Sequence, residues 1–214
     1  ERELTVMLLV DVSGSRNFGT LSQMKRDMMA EVAATLAFST IANNDKVGVI
    51  FFSDKIEKYI PAQKGKTHVL HIIRELLSFE PNSKGTDMAQ ALQYFANAQK
   101  RHCTAFLISD FIGAGAVDKP LLIASNRHEV NAIQIYDRRE AELPNIGLVK
   151  FHDAESDKDL WIDTSLATVR DDYAQAWKQN QDLLEQLFTR TGVNHISVRT
   201  DEDYVKALMH LFRC

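Results

Sequence analysis

Short apolar runs alternate with helical patterns along nearly the whole chain, and this alternation restricts the fold more than any motif does. Residues 4–10 (LTVMLLV), 47–52 (VGVIFF) and 103–109 (CTAFLIS) are near-continuous apolar runs, and 130–136 and 193–198 are further strand-like runs. A strand that is apolar without alternation is buried on both faces, as in parallel sheets covered by helices. Between the runs lie helical patterns. Residues 21–42 place Met24, Met28, Val32 and Leu36 three or four apart, with Met29, Ala33, Ala37 and Ile41 widening the apolar face. Residues 67–78 point Val69, Leu70, Ile72, Ile73, Leu76 and Leu77 inward. Helices follow over 87–100, with Asp87 and Gln90 as a capping box, and over 118–127. A long helix capped by Thr164 or Ser165 runs to Arg190, where Gly192 stops it, and a closing helix is capped by Thr200 and Asp203.

The expected fold is therefore α/β: a doubly wound, mostly parallel sheet with helices on both faces. Residues 55–60 carry Lys55 and Lys58 and meet Pro61, which suits one antiparallel edge strand. Residues 148–152 and 160–162 form an extra β-hairpin after a charged loop at 137–144. No repeat or composition break divides the chain, so residues 1–214 are expected to form a single domain. The chain starts at Glu1 rather than methionine, and it is expected to be the C-terminal part of a longer protein.

The bulk numbers narrow the function. At 45% hydrophobic and 25% charged, the chain can bury a full core. A net charge of −4 argues against a nucleic-acid binder. No apolar stretch reaches membrane-spanning length, and no signal peptide is recognisable. Two cysteines, Cys103 and Cys214, make no disulfide framework, so a cytoplasmic location is expected.

In such a sheet the carboxyl ends of the parallel strands share one edge, where ligands bind. Asp11, Ser13 and Ser15 follow the first strand, Asp110 follows the strand from Cys103, and Thr86 opens a helix whose amino end faces the same edge. Each has an ordinary structural explanation: a polar turn for the first three, an N-cap for Thr86, a turn residue for Asp110. Together they bring five oxygen-bearing side chains from three loops to one place. Two carboxylates and three hydroxyls suit a hard divalent cation.

The Asp11-x-Ser13-x-Ser15 loop, Thr86 in Gly85-Thr86-Asp87 and Asp110 in Ile108-Ser109-Asp110 resemble the metal-ion-dependent adhesion site of von Willebrand factor A (vWA) domains, and all five positions match. The order of elements is similar to that fold over most of the chain; the hairpin at 148–162 lies outside its minimal form. The start of the chain and residues 137–147 (DRREAELPNIG) resemble a bacterial family of unknown function associated with MoxR-type AAA+ ATPases and aerotolerance operons. The resemblance implies that Asp11, Ser13, Ser15, Thr86 and Asp110 hold Mg²⁺ or Mn²⁺, directly or through water. It further implies one open coordination position for a partner's Asp or Glu. The expected function is a metal-dependent protein–protein interaction module, not an enzyme, working with a MoxR-type AAA+ ATPase in complex assembly or stress tolerance. Phe18, Phe111 and Ile112 flank the site and suit either an apolar rim or ordinary loop packing.

The alternative is a Mg²⁺-dependent phosphotransferase or hydrolase with Asp11 as nucleophile. Those enzymes place a second Asp two residues on, where this chain has Ser13, so the general acid is missing. Gly65-Lys66-Thr67 lacks the first glycine of a P-loop, whose position holds Ile60, and Gly113-x-Gly115 lacks its third glycine at Asp118. His68 and His71 lie three apart without the glutamate of a zinc helix and read as surface residues. Lys55, Lys58, Lys64 and Lys66 read as a solvated basic strip, with an acidic partner as the other possibility.

Overall fold

A computed structural model of the chain describes residues 3–13, 25–83, 85–113, 115–153 and 158–211. The apolar run at the start forms β1 (Thr5–Asp11), and the helical pattern after it forms α1 (Lys25–Ala42). β2 (Lys46–Phe52), β3 (Ile56–Gln63), α2 (Lys66–Ser78), α3 (Met88–Ala98), β4 (Thr104–Ser109) and α4 (Asp118–Ser125) follow. The chain continues through β5 (Glu129–Tyr136), α5 (Arg138–Ala141), β6 (Leu148–Asp153), β7 (Lys158–Asp163), α6 (Ala167–Thr191), β8 (Asn194–Arg199) and α7 (Tyr204–Leu211).

Six strands pair in the order β3-β2-β1-β4-β5-β8; β3 is antiparallel to β2 and every other pairing is parallel. β6 and β7 pair antiparallel in a sheet of their own, as the hairpin reading expected. The near-continuous apolar strands feed two cores. Leu8 and Val10 point to one face, with Met28, Val32 and Leu36 of α1, Ile72 of α2 and Leu208 of α7. Met7 and Leu9 point to the other, with Leu92 and Phe95 of α3, Leu121 of α4 and Leu187 and Phe188 of α6. This period-two division is why a strand without alternation needs helices on both sides.

From β1 the chain winds outward through β2 and β3, then crosses to the other side of β1 to lay down β4. The direction of winding reverses between β1 and β4, the crevice where doubly wound sheets bind ligands. Val10 lies opposite Ile108, so Asp11 and Asp110 leave the two strands one and two residues beyond a shared rung.

Several local expectations are corrected. Pro61 does not close the edge strand; β3 runs through it to Gln63, with register shifts against β2, as an edge strand permits. Leu70 and Leu77 are exposed, because α2 packs along the narrower row of Val69, Ile72 and Leu76. In α6 the buried residues are Leu187, Phe188 and Thr191 of its last turns, while Leu183 is exposed and Trp177 earlier in the helix packs its ring 5.2 Å from that of Tyr136 on β5. Neither Thr164 nor Ser165 caps α6: its N-cap is Leu166, and the Thr164 hydroxyl donates to the Gly147 carbonyl at 2.8 Å. Thr200 is likewise drawn away from α7 to Asp137, and Asp203 takes the turn alone by accepting the Val205 N–H at 3.0 Å. The stretch 137–144 is not only loop, since Asp137 and Glu140 form a reciprocal capping box around α5. Among the described residues, no helix is long and apolar enough to cross a membrane.

Candidate metal centre

Strands β1, β4 and β5 each run into an aspartate, and each aspartate closes the same local turn. The backbone N–H two residues on donates to one carboxylate oxygen: Ser13 to Asp11 at 2.9 Å, Ile112 to Asp110 at 3.0 Å, Arg139 to Asp137 at 2.9 Å. Such Asx turns end a strand without leaving the next donor unpaired. The second oxygen of each acid then decides its character.

The second oxygen of Asp11 accepts the Ser109 hydroxyl at 2.7 Å, and Ser109 Oγ in turn accepts the Phe111 N–H at 3.0 Å. Asp11 is buried, as is Ser13, whose hydroxyl also faces the carboxylate. Burial pushes the Asp11 carboxyl above the ordinary aspartate range, and the charge of Asp110 adds to it; the bonds from Ser109 and Ser13 only partly oppose this. Among the described residues, no lysine or arginine forms an ion pair with Asp11. Such a carboxylate is stabilised by any cation that enters.

Asp110 is also buried, and its second oxygen meets Lys25 Nζ at 2.7 Å. Lys25 lies on α1 and is itself fully buried; on its other side, Nζ meets Glu140 Oε1 at 2.5 Å. Burial alone would lower the lysine's pKa, but the charges of Asp110 and Glu140 and their hydrogen bonds outweigh it and the net shift is upward. Glu140 is pushed up by burial and only partly brought back by Lys25. Gln134 Nε2 reaches the Asp110 carbonyl at 3.4 Å while its Oε1 accepts the Ser197 hydroxyl at 2.8 Å, which ties β5 and β8 to the same corner.

Of the five candidates, the structure brings Asp11, Ser13 and Asp110 to the β1–β4 crevice. Half-buried Thr86 directly precedes Asp87, whose carboxylate accepts the Gln90 N–H at 2.8 Å and whose backbone N–H donates to the Ser53 carbonyl at 2.8 Å. Asp87 thus caps α3, and the Ser53 contact fastens the Thr86 segment to the carboxyl end of β2. Ser15 and Phe18 lie outside the described residues. Phe111 is no rim residue: it is buried edge-on against Phe188 with its ring centroid 5.3 Å away, and it takes φ 59, a left-handed conformation rare for an aromatic residue. Ile112 is exposed beside it. A cavity of about 360 Å³ opens next to Asp110 between the β4–α4 loop and α6, lined by Ile112, Gln134, Trp177, Leu184 and Arg190 among others.

The other sequence features resolve as ordinary structure. His68 Nε2 lies 2.8 Å from the Val47 carbonyl and His71 is exposed on α2. Lys58 pairs with Glu75 and Lys64 with Glu3, so half of the basic strip is already neutralised. Sequence reasoning missed Lys25 and Glu140. Lys25 did carry a signal, since it stands three, four and seven residues before Met28, Met29 and Val32 and so shares their apolar row. Among the described residues, no three His, Cys, Asp or Glu side chains gather as a metal cluster; the donors at the crevice are two carboxylates and hydroxyls. That chemistry fits Mg²⁺ or Mn²⁺ better than a soft metal.

A six-stranded sheet in this order, doubly wound and with acids at the β1–β4 crevice, is a vWA-like α/β fold. The chain belongs to the family described as "Protein of unknown function DUF58", which it matches over residues 1–183. It is 32% identical over 209 residues to "Uncharacterized protein Mb1516" of Mycobacterium bovis, covering 96% of this chain and 65% of that protein. The chain thus spans about 65% of the length of the curated relatives it first matches. An aerotolerance-related membrane protein from Bacteroides fragilis superposes with a TM-score of 0.69 at 16% identity, over 98% of this chain and 97% of that one. Protein BatB from Bacteroides thetaiotaomicron gives 0.65 at 14% over the same shares, and the SpRpn10 VWA domain gives 0.54 at 11% over 97% and 94%. At these identities the likeness defines the fold.

Proposed function

We propose that the chain is a metal-dependent protein–protein interaction module. In this reading Asp11, Ser13, Ser15, Thr86 and Asp110 hold Mg²⁺ or Mn²⁺, and an Asp or Glu of a partner protein completes the coordination. The observation that carries it is the state of Asp11: a buried carboxylate with hydroxyl and amide donors, facing a second buried acid, with no protein cation beside it among the described residues. Asp11, Asp110, Glu140 and Lys25 are three carboxylates and one ammonium, so two negative charges remain for a divalent ion to balance. The bound ion would supply a Lewis-acid position for the partner's carboxylate. The residues of this chain orient it: Ser109 fixes Asp11, and the Ile112 N–H fixes Asp110. The cavity beside Asp110 offers room for a partner side chain next to the acid.

The partner we favour is a MoxR-type AAA+ ATPase in the cytoplasm, with residues 1–214 acting as one domain in complex assembly or stress tolerance. The aerotolerance-related description of the Bacteroides fragilis neighbour is in keeping with such a process. The reading is of a binding module rather than an enzyme.

The test is capture of partners from the native host with tagged chain in Mg²⁺ and in EDTA, beside calorimetry of Mg²⁺ and Mn²⁺ alone. Capture of the ATPase should be lost in EDTA and in Ser13→Ala and Thr86→Ala, whose circular dichroism stays near wild type. Equal capture in EDTA would sink the reading.

A further inference from the structure

We infer that Lys25 is a tethered cation that shares Asp110 with the bound metal and sets how tightly the centre holds it. The inference rests on the metal-centre reading above and adds a residue to it.

Lys25 is fully buried, and its ammonium lies between Asp110 Oδ2 at 2.7 Å and Glu140 Oε1 at 2.5 Å. Asp110 belongs to the five-residue centre, whereas Lys25 and Glu140 do not. A positive charge is thus fixed against one of the two acids that would attract the divalent ion. It lowers the pull of Asp110 on the ion and repels the ion directly. Glu140 has the opposite effect, since it draws part of the lysine's charge to itself. Glu140 is held in turn: its other oxygen accepts the Asp137 N–H at 2.8 Å, and Asp137 accepts the Thr200 hydroxyl at 2.9 Å. Tyr173 of α6 reaches the Arg139 carbonyl at 3.1 Å. The ammonium therefore connects the metal centre to the α5 corner, and movement of that corner changes how much of the lysine's charge Asp110 feels.

A lysine that only fills space would not produce opposite effects when the two sides of the pair are altered. Lys25→Met removes the competing charge and should tighten Mn²⁺ roughly tenfold or more. Glu140→Gln leaves the lysine to Asp110 alone and should weaken Mn²⁺ roughly fivefold or more. The double variant restores the net charge of the wild type and should return near its affinity. The measurement is Mn²⁺ titration by calorimetry and by the electron paramagnetic resonance signal of the free ion, with circular dichroism checking each fold. If Lys25→Met does not fold, Glu140→Gln and the double variant still carry the sign test. Equal affinity in the folded variants, or weakening in all of them, overturns the role of Lys25 while leaving the metal centre intact. Absence of Mn²⁺ binding in both the wild type and Lys25→Met overturns the metal centre and this inference together.

Discussion

The two ends of one sheet edge use the same turn for different purposes. At the β5 end, Asp137 accepts the Arg139 N–H with one oxygen and the Thr200 hydroxyl with the other, and Glu140 closes the turn by accepting the Asp137 N–H. At the β1–β4 end, Asp11 and Asp110 close matching turns, but Asp11 is pushed up by burial and by the charge of Asp110, and Asp110 depends on a lysine from α1. An acid whose partners are contributed by its own corner is structural. An acid that faces another acid is destabilised by the fold around it, and such strain marks binding sites. Local sequence is the same in kind at both ends; the partners from distant strands and helices make the difference.

The strongest challenge to this division comes from Asp110, which stands on both sides of it. Asp110→Ala removes a proposed metal ligand and also leaves the buried ammonium of Lys25 with Glu140 alone. Breaking a buried pair from one side costs about 3–5 kcal/mol, and the remaining acid should hold the loss near the lower figure. Urea denaturation in EDTA should show that loss. An unchanged midpoint would mean that the Lys25 pair contributes nothing and that Asp110 is a ligand only. For this reason Ser13→Ala and Thr86→Ala, rather than Asp110→Ala, separate binding from stability.

Asp137→Ala tests the other end. The variant loses the cap on α5 and the bond from Thr200, which together should cost about 2 kcal/mol. Metal affinity measured on the folded variant should change by less than the roughly fivefold expected of Glu140→Gln, because Asp137 reaches the centre only through Glu140. A tenfold change would place Asp137 with the functional acids. Thr200→Val, which keeps the shape and removes the hydroxyl, should cost about 1 kcal/mol by the same denaturation measurement.

Much of this was legible from the chain. The unalternating strands required helices on both faces, and the edge-strand and hairpin signals were local. The meeting of Asp11, Ser13 and Asp110 at the β1–β4 crevice was visible because these residues follow strand ends, where the fold class fixes their position. What could not be read was pairing at a distance. Lys25 meets acids 85 and 115 residues away, and nothing near it in sequence announces them. Thr200 looked like a helix cap because Asp203 lies three on, yet Asp137 offered its hydroxyl a buried acceptor and Asp203 could end the helix alone. Residues 137–144 looked like a charged loop because five charges crowd there; the capping box between Asp137 and Glu140 is the local signal of the short helix.

The smallest effect gives the sharpest test, because its sign reverses with metal. Burial and the charge of Asp110 raise the Asp11 carboxyl above the ordinary aspartate range. A folded acid with a raised pKa binds its proton more tightly than the unfolded chain does. Its contribution to stability is therefore full below the unfolded value, falls as pH rises toward the raised folded value, and is flat above it. Above that raised value the metal-free protein carries this penalty in full. Asp11→Asn removes the charge, keeps an oxygen for the Ser13 N–H, and should stabilise the metal-free fold by about 1 kcal/mol. The difference from wild type should shrink as pH falls through the raised value, where the wild-type carboxyl takes up its proton. Saturating Mg²⁺ should reverse the order, since the cation takes the place of that proton in the wild type and finds a weaker ligand in the variant. Thermal unfolding of both proteins from pH 4 to 7, in EDTA and in Mg²⁺, reads all of this. A variant less stable than wild type in EDTA at pH 7 would mean that the hydroxyl and amide donors alone satisfy Asp11, and that this end of the sheet is as structural as the other.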